Sequence, residues 1–132
     1  MKQIFLILSI YFFITGCASK KPELKGYINF IGDRTSKYNL IKKLSKECYQ
    51  KDATLFSDGI LIKSKSNDEF DQITFHRHAF DIGVVPPFII VTLDNNEIKV
   101  IEGTYNCDFN GCVSLDIKKQ ISKWLKDDTS CK

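Results

Sequence analysis

The sequence predicts an α+β domain built from an antiparallel β-meander of about five to six strands, with an N-terminal and a C-terminal helix on one face. Two segments with apolar residues at helical spacing lie outside a central series of short β-rich runs. Turn-forming residues such as Asp-Gly and Asp-Asn-Asn separate those runs. Strands joined by short turns pair antiparallel, so the two terminal helices are left to cover one face of the sheet.

The first strand is predicted over residues 27–31, and a helix follows it. Thr35 or Ser36 can cap this helix, because their hydroxyls accept hydrogen bonds from the backbone of the first turn. The helix is expected to end near Lys51. Its apolar stripe consists of Leu40, Ile41, Leu44 and Cys48. Cys48 should therefore face the core, which suits a structural disulfide better than a reactive thiol.

Asp58-Gly59 predicts a hairpin, because an Asp-Gly pair between β-rich runs forms a tight turn. The paired runs would be residues 53–57 and 60–64. Residues 72–80 alternate as a strand. The prolines within residues 83–87 should interrupt the sheet, because proline lacks a backbone N–H.

The last part of the chain predicts one more hairpin and a second helix. Residues 88–93 and 97–104 flank a turn-forming loop at residues 94–96. Ser114 can cap a helix that extends to about Lys126. Its apolar stripe consists of Val113, Ile117, Ile121, Trp124 and Leu125.

The first residues have the pattern of an export signal. Lys2 precedes an 11-residue run at positions 4–14 that is apolar except for one Ser. That run is too short for a membrane-spanning helix, which needs about 20 apolar residues. The sequence Ile14-Thr15-Gly16-Cys17 follows and resembles the lipobox of bacterial lipoproteins. A buried N-terminal segment or an uncleaved membrane anchor is the alternative interpretation.

The resemblance implies that residues 1–16 are a cleaved signal peptide and that Cys17 carries lipid. In that family the thiol receives a diacylglyceryl group and the new amine is often acylated, for example with palmitate. Two or more acyl chains give stable membrane anchoring. The Ala-Ser pair that follows resembles outer-membrane sorting residues, which implies a location at the outer membrane, facing the periplasm. Residues 17–26 would then form a polar tether, and residues 27–132 a single globular domain.

Five cysteines occur in the chain, and four remain when Cys17 is lipidated. An even number of cysteines in an exported protein indicates disulfides, here two. The favoured pairing is Cys107–Cys112 with Cys48–Cys131, because an Asn-Gly turn signal between the first two can bring them together. The alternatives are free thiols and a zinc site, although the cysteine spacing matches zinc motifs poorly.

His76 and His78 are the only histidines, and they would point to the same face of a strand. With Asp81 as a third ligand, they could bind zinc, copper or nickel. This metal site is the weaker hypothesis, because the spacing does not specify the remaining ligands. The more ordinary interpretation is two partly exposed side chains on the outer face of the sheet.

An exposed apolar patch is predicted on the same outer face. Residues 88–93 are apolar on both faces apart from one Thr, and alternation directs Phe88 and Ile90 outward. An exposed apolar patch rimmed by polar groups often marks a partner site. The predicted partner-binding residues are Phe88, Ile90, Phe80, His76 and His78. The alternative is that the sheet curls or that a loop covers this face.

The sequence contains no nucleophile elbow, phosphate loop or hydrolase motif. Its 19 basic and 16 acidic side chains are interspersed, which gives no basic surface for nucleic acid. We therefore expect a non-enzymatic envelope lipoprotein without a cofactor, which binds another envelope or secreted protein as an assembly accessory or an inhibitor. The alternatives are a periplasmic metal-binding protein or metalloenzyme using His76 and His78, and a structural lipoprotein that only spaces the membrane from the wall.

Overall fold

In the computed structural model, the described residues are 22–79, 83–103, 107–108, 111–112 and 115–131. Residues 107–108 and 111–112 are described by their backbone alone. The predicted signal peptide, Cys17, Phe80 and Asp81 lie outside the described residues.

Five strands form one antiparallel sheet, as the sequence predicts. They are β1 (Glu23–Asn29), β2 (Gly59–Ser66), β3 (Asp71–Ala79), β4 (Gly83–Leu93) and β5 (Glu97–Glu102). The order across the sheet is β1-β5-β4-β3-β2, so β2 to β5 form a meander and β1 is added beside β5. Because every neighbouring pair is antiparallel, β1, β2 and β4 run in the same direction. We call the end at which these three strands begin the lower end of the sheet, and the opposite end the upper end.

Two helices pack on the same face of this sheet. They are α1 (Arg34–Tyr49) and α2 (Ile117–Trp124), and one buried cluster joins their apolar stripes to the sheet. The predicted α+β class is therefore confirmed. Within the described ranges, neither helix is long and apolar enough to cross a membrane.

Helix α1 is capped by Asp33 rather than by the predicted Thr35 or Ser36. The Asp33 carboxylate accepts a hydrogen bond from the Ser36 amide at 3.0 Å, and this bond lowers the pKa of Asp33. Asp116 caps α2 in the same way, accepting from the Lys119 amide at 3.1 Å. These carboxylates satisfy amides of the first turn, which have no partner inside a helix. The Ser predicted to cap the second helix lies outside the described residues.

The core confirms the predicted apolar stripe of α1 and that of α2 from Ile117 onward, whereas Val113 lies outside the described residues. Tyr49 connects the layers, because its ring contacts Phe75 of β3 and Trp124 of α2, with centroids 5.9 and 6.4 Å apart. Removal of this apolar surface from water is the main force that holds the helices to the sheet. The fully buried residues of the cluster include Ile41, Ile73, Phe75, Val91, Leu93, Ile98, Val100, Ile117, Ile121 and Trp124.

A buried ion pair joins the start of α1 to the β2–β3 connection. Arg34 Nε lies 3.1 Å from the buried carboxylate of Asp71, which also accepts a hydrogen bond from the Ser66 hydroxyl. The terminal nitrogens of Arg34 donate to the carbonyls of Glu69 and Asn67 at 2.9 and 3.0 Å. A buried carboxylate without such partners would destabilise the fold, so these contacts fix the register of α1 against the sheet.

The hairpin predicted at Asp58-Gly59 is wrong in its register. Lys51 and Ile60 exchange two backbone hydrogen bonds, of 3.0 and 2.9 Å, and close a longer loop over residues 52–59. Residues 53–57 do not form a strand. A Cβ on Gly59 would lie 2.5 Å from backbone atoms of Lys51 and Ala53, so glycine is required here for a close approach of two backbones and not for a two-residue turn.

β4 continues through the two prolines at which the sequence predicts an interruption. Ile89 pairs with Phe75 while Pro87 pairs with His76, so Phe88 is an extra residue in β4. Such a β-bulge places two residues of one strand opposite one residue of its partner. Bulges also tolerate positions that cannot donate a ladder hydrogen bond, which explains why the strand survives the prolines.

β1 begins at Glu23, inside the segment predicted to be a tether. Glu23 pairs with Glu102, and the register shifts between Leu24 and Gly26. A polar sequence can form an edge strand, because one side of such a strand faces solvent. The segment between Cys17 and the sheet is therefore shorter than predicted.

Cys48 and Cys131 form a disulfide with their Cα atoms 5.3 Å apart, as predicted. The bond connects the last turn of α1 to the tail that follows α2. Hydrogen bonds hold the same tail, because the indole N–H of Trp124 donates to the Ser130 carbonyl at 3.1 Å and the Gln120 amide donates to the same oxygen.

The second predicted disulfide involves Cys107 and Cys112, whose side chains lie outside the described residues. Their backbones belong to two short strands, β6 (Cys107–Asp108) and β7 (Gly111–Cys112), which pair antiparallel with Cys107 opposite Cys112. This pairing agrees with the predicted turn, and the Cys107–Cys112 bond stays a prediction.

Replacement of both Cys48 and Cys131 with Ser is expected to lower the free energy of unfolding by about 4 kcal/mol, because the bond joins residues 83 apart and restricts the unfolded chain. Chemical denaturation of the variant and the wild type measures the difference. The matched control replaces Cys107 and Cys112 with Ser, for which the same chain-entropy relation gives only about 2 kcal/mol. Equal losses in the two variants, or alkylation of Cys48 in the unreduced protein, would contradict the assigned bond.

Candidate interaction surfaces

The sheet face opposite the helices carries an apolar patch. Along one row across the sheet, Ile90 pairs with Ile101, and Ile101 pairs with Leu24. Alternation along each strand directs these side chains away from the helices. Ile90 and Ile101 are half-buried, Leu24 is 48% exposed, and Tyr27 on the same face of β1 is 50% exposed. We call Leu24, Tyr27, Ile90 and Ile101 the outer-face patch.

Polar side chains surround the outer-face patch. Thr74 pairs with Ile90 on one side, and the next row contains Gln72, Thr92 and Lys99. The Gln72 amide donates to the Thr92 hydroxyl at 3.4 Å, so these two side chains partly satisfy each other. An apolar area with a polar rim is the usual composition of a protein-binding site.

Of the residues predicted to bind a partner, Ile90 belongs to the outer-face patch and Phe88 does not. Phe88 is 2% exposed and packs edge-on against Phe75, with ring centroids 6.5 Å apart. The bulge is the reason, because the extra residue reverses the alternation of β4 and both Phe88 and Ile89 enter the core. The prediction that Phe88 faces outward is therefore wrong. Phe80 lies outside the described residues.

His76 is held by hydrogen bonds at both ring nitrogens. Its Nδ1 lies 2.8 Å from the carbonyl oxygen of Val85, and its Nε2 lies 2.8 Å from the Thr74 hydroxyl. A carbonyl can only accept, so Nδ1 carries the proton and, in the neutral ring, Nε2 accepts from Thr74. The register of β3 and β4 shifts between His76 and His78. The buried imidazole therefore supplies a side-chain hydrogen bond across the irregular part of this strand pair.

This geometry favours a structural role for His76 over metal ligation. With both ring nitrogens engaged, a metal would have to displace Thr74 to reach a lone pair of His76. His78 is half-buried, and Asp81 lies outside the described residues. Within the ranges that the structure describes, no group of three or more His, Cys, Asp or Glu side chains is placed to hold a metal ion.

The loop over residues 52–59 presents a second apolar surface, in a segment whose residues 53–57 were predicted to form a strand. Leu55 is 75% exposed and Phe56 is 96% exposed. The signal that could have revealed this loop is the Thr54 and Ser57 pair that brackets them, because short hydroxyl side chains bond nearby amides and compete with strand formation.

A groove of about 520 Å³ lies beside the end of α2 at the upper end of the sheet. The Ser122 hydroxyl in this groove donates to the Lys118 carbonyl at 2.9 Å, as expected of a serine inside a helix. The lining residues are Ile28, Asn29, Phe30, Ile31, Lys37, Ser122, Leu125 and Lys126. The lining thus combines apolar side chains with the amines of Lys37 and Lys126.

A small cluster of charged side chains lies at the lower end of the sheet, where β1 pairs with β5. Lys25 Nζ lies 3.1 Å from the Glu23 carboxylate and 3.6 Å from that of Glu102, and so offsets the repulsion of two directly opposed acids. Partial burial raises the pKa of Glu102, and Lys25 opposes that rise only in part. A carboxyl with a raised pKa stabilises the fold at low pH, and this contribution is lost as the pH rises through the pKa of Glu102.

The chain matches no family model, and no curated protein or solved structure is detectably similar to it. The interpretation of these surfaces therefore depends on their geometry alone.

Replacement of His76 with Ala is expected to lower the free energy of unfolding by about 1 kcal/mol, because the Val85 carbonyl loses a partly buried donor. Chemical denaturation measures this change. His78→Ala is the matched control, since it removes the same ring from a half-buried position on the same face. If zinc raises the melting temperature of the wild type but not of His76→Ala, the ring binds metal and the structural assignment is wrong.

Proposed function

We propose that this chain is a lipid-anchored lipoprotein of the cell envelope whose folded domain binds another envelope protein or a secreted protein and catalyses no reaction. The lipobox-like sequence that ends at Cys17 supports the anchor. The outer-face patch supports the binding role.

The observation that carries the binding proposal is the one-sided packing of the sheet. Both helices lie on one face, and their apolar residues form a single buried cluster with it. On the opposite face, Leu24 and Tyr27 remain half exposed beside Ile90 and Ile101. A small domain gains nothing in solubility from such a patch, so its retention is best explained by a partner that buries it.

The polar groups beside the patch also support binding over catalysis. Thr74 and His76 bond each other, and His76 is further held by the Val85 carbonyl. Gln72 and Thr92 bond each other in the next row. General acid or base catalysis needs a proton-transferring side chain that faces substrate, whereas these side chains are engaged within the sheet.

The Cys48–Cys131 disulfide supports a location outside the cytosol. Structural disulfides persist in oxidising compartments and are rare in reducing ones. The bond therefore agrees with export, which the lipobox resemblance implies. The proposed location of the protein is the outer membrane, with the folded domain in the periplasm.

Introduction of a charge at Ile90 is expected to weaken partner binding by at least about tenfold while the fold survives, because a buried unpaired carboxylate in an interface is unfavourable. A photo-crosslinking amino acid at Tyr27, which is half exposed on the edge strand, should capture the partner in living cells. Mass spectrometry identifies the partner, and the affinities of purified wild type and Ile90→Asp are then compared.

The matched control is Lys63→Asp, which places a carboxylate on the same face two strands from Ile90. It should bind the partner with nearly wild-type affinity. Unfolding of Ile90→Asp would show that Ile90 is a core residue, in which case Tyr27→Asp tests the patch at a more exposed position. Equal affinities of wild type, Ile90→Asp and Tyr27→Asp would remove the outer-face patch as the binding site.

A further inference from the structure

The loop over residues 52–59 presents two adjacent apolar side chains to solvent. Leu55 and Phe56 are among the most exposed large apolar residues in the described part of the chain. Exposed apolar side chains are common on protein surfaces when they occur singly. Here two such side chains are adjacent, and they lie at the tip of a loop that hydrogen bonds hold in place. This arrangement calls for a specific explanation.

Hydrogen bonds from Thr54 fix the shape of the tip. The Thr54 amide donates to the Ser57 carbonyl at 2.8 Å, and the Ser57 and Phe56 amides donate to the Thr54 hydroxyl at 3.1 and 3.3 Å. These bonds use polar groups on the inner side of the turn. Leu55 and Phe56 are thereby held outward before any partner arrives, so little conformational entropy is lost on contact.

The base of the loop is attached rigidly to the sheet. Asp58 Oδ2 accepts a charged hydrogen bond from the largely buried Arg77 of β3 at 2.8 Å. On the other side, Lys51 and Ile60 close the loop with two backbone hydrogen bonds. The close approach at Gly59 leaves no room for a side chain between these two segments. The tip therefore moves with the domain as one body.

The tip lies at the lower end of the sheet, which is the end from which the chain continues toward Cys17. β1 and β2 run in the same direction, so the segment that precedes Glu23 leaves the sheet at the end where β2 begins. Exposed Val84, near the start of β4, lies at the same end. The sheet is only about 19 Å wide, since neighbouring strands lie about 4.8 Å apart.

The length of the tether limits how far this end can stand from a membrane. Glu23 lies in the same row across the sheet as Ile62, through Glu102, Ile89 and Phe75. The start of β2 therefore lies about 10 Å below Glu23, because a strand rises about 3.4 Å per residue. Six residues from Cys17 span at most about 20 Å. Even a fully extended tether thus reaches only about 10 Å beyond the level of Gly59. The tip of the loop projects from that level toward the same side as the tether.

We propose that Leu55 and Phe56 form a second membrane contact, which inserts into the interfacial region of the bilayer that holds the lipidated Cys17. The inference rests on the proposed lipid anchor. Two apolar side chains would bind a bilayer only weakly by themselves, but the lipid anchor makes their contact intramolecular and raises its effective concentration. The contact fixes the lower end against the membrane and leaves the outer-face patch directed sideways, accessible to a partner.

The test uses the full processed protein, purified from membranes and reconstituted into vesicles of phosphatidylcholine. Phe56→Trp places an indole at the tip, and the single native Trp124 is fully buried and contributes the same signal to every sample. We expect a blue shift of the added emission on reconstitution and quenching by bromines placed near the headgroup. Insertion of this kind extends about 5–10 Å into the interface. High salt should not reverse the shift, because the tip residues carry no charge.

The matched control is Ile31→Trp, which labels an equally exposed position, 94% accessible, at the upper end of the sheet. Its emission should stay that of an indole in water. Intact mass of the same sample reports whether Cys17 carries lipid. Lipid at Cys17 together with unshifted emission from Phe56→Trp overturns the membrane contact and leaves the anchor intact. Absence of lipid at Cys17 overturns the anchor and the contact that rests on it, and equal shifts in both variants overturn the assigned orientation.

Discussion

The Cys48–Cys131 disulfide joins the lower part of α1 to the tail of α2, and it constrains the layer of helices that covers one face of the sheet. Burial of the shared apolar cluster holds both helices to the sheet, and in a domain of this size, whose core is thin, the crosslink adds to that burial. With the bond in place, the last turn of α1 is joined to the tail that follows α2, and the buried ring of Trp124 packs against Tyr49 of α1. The helices therefore cover one face of the sheet, and the opposite face, which carries the outer-face patch, stays accessible.

Much of the fold follows from short-range patterns that the sequence displays. Helical spacing identified the stripe that buries Ile41 and the one that buries Trp124, because both stripes face one buried cluster and the helical period is a local property of the sequence. The turn at residues 94–96 was equally clear, since turn chemistry is local. Cys48 and Cys131 could be paired because a stripe position that faces the core and a position just beyond a helix have few partners in a small domain, once export is expected from the lipobox resemblance.

The bulge, the close approach at Gly59 and the composition of the outer-face patch were not revealed by the sequence, because each depends on contacts between segments that are apart in the chain. The bulge at Phe88 reverses the alternation of β4, and only its partner strand shows where the extra residue lies. Glycine is required at position 59 because the backbone of Ala53 lies too close for a side chain. In the sequence alone, the Asp58-Gly59 pair looks like an ordinary two-residue turn. The predicted binding residues differ from the outer-face patch for the same reason. Ile90 faces outward as predicted, but Leu24 belongs to the patch only because β1 pairs with β5, which the sequence did not reveal.

The position of β1 at the edge of the sheet gives the domain a particular response to mechanical load. In a lipid-anchored protein, any tension between the membrane and a bound partner enters through the tether, which continues directly into β1. Among the described strands β1 is bonded to β5 alone, and a pull on its first residue in the direction opposite to the strand acts along the axis of β1. Tension along β1 strains all the hydrogen bonds of the β1–β5 ladder at once, whereas a force perpendicular to the strand breaks them one after another. The attachment therefore resists tension along the strand far better than it would resist a perpendicular force.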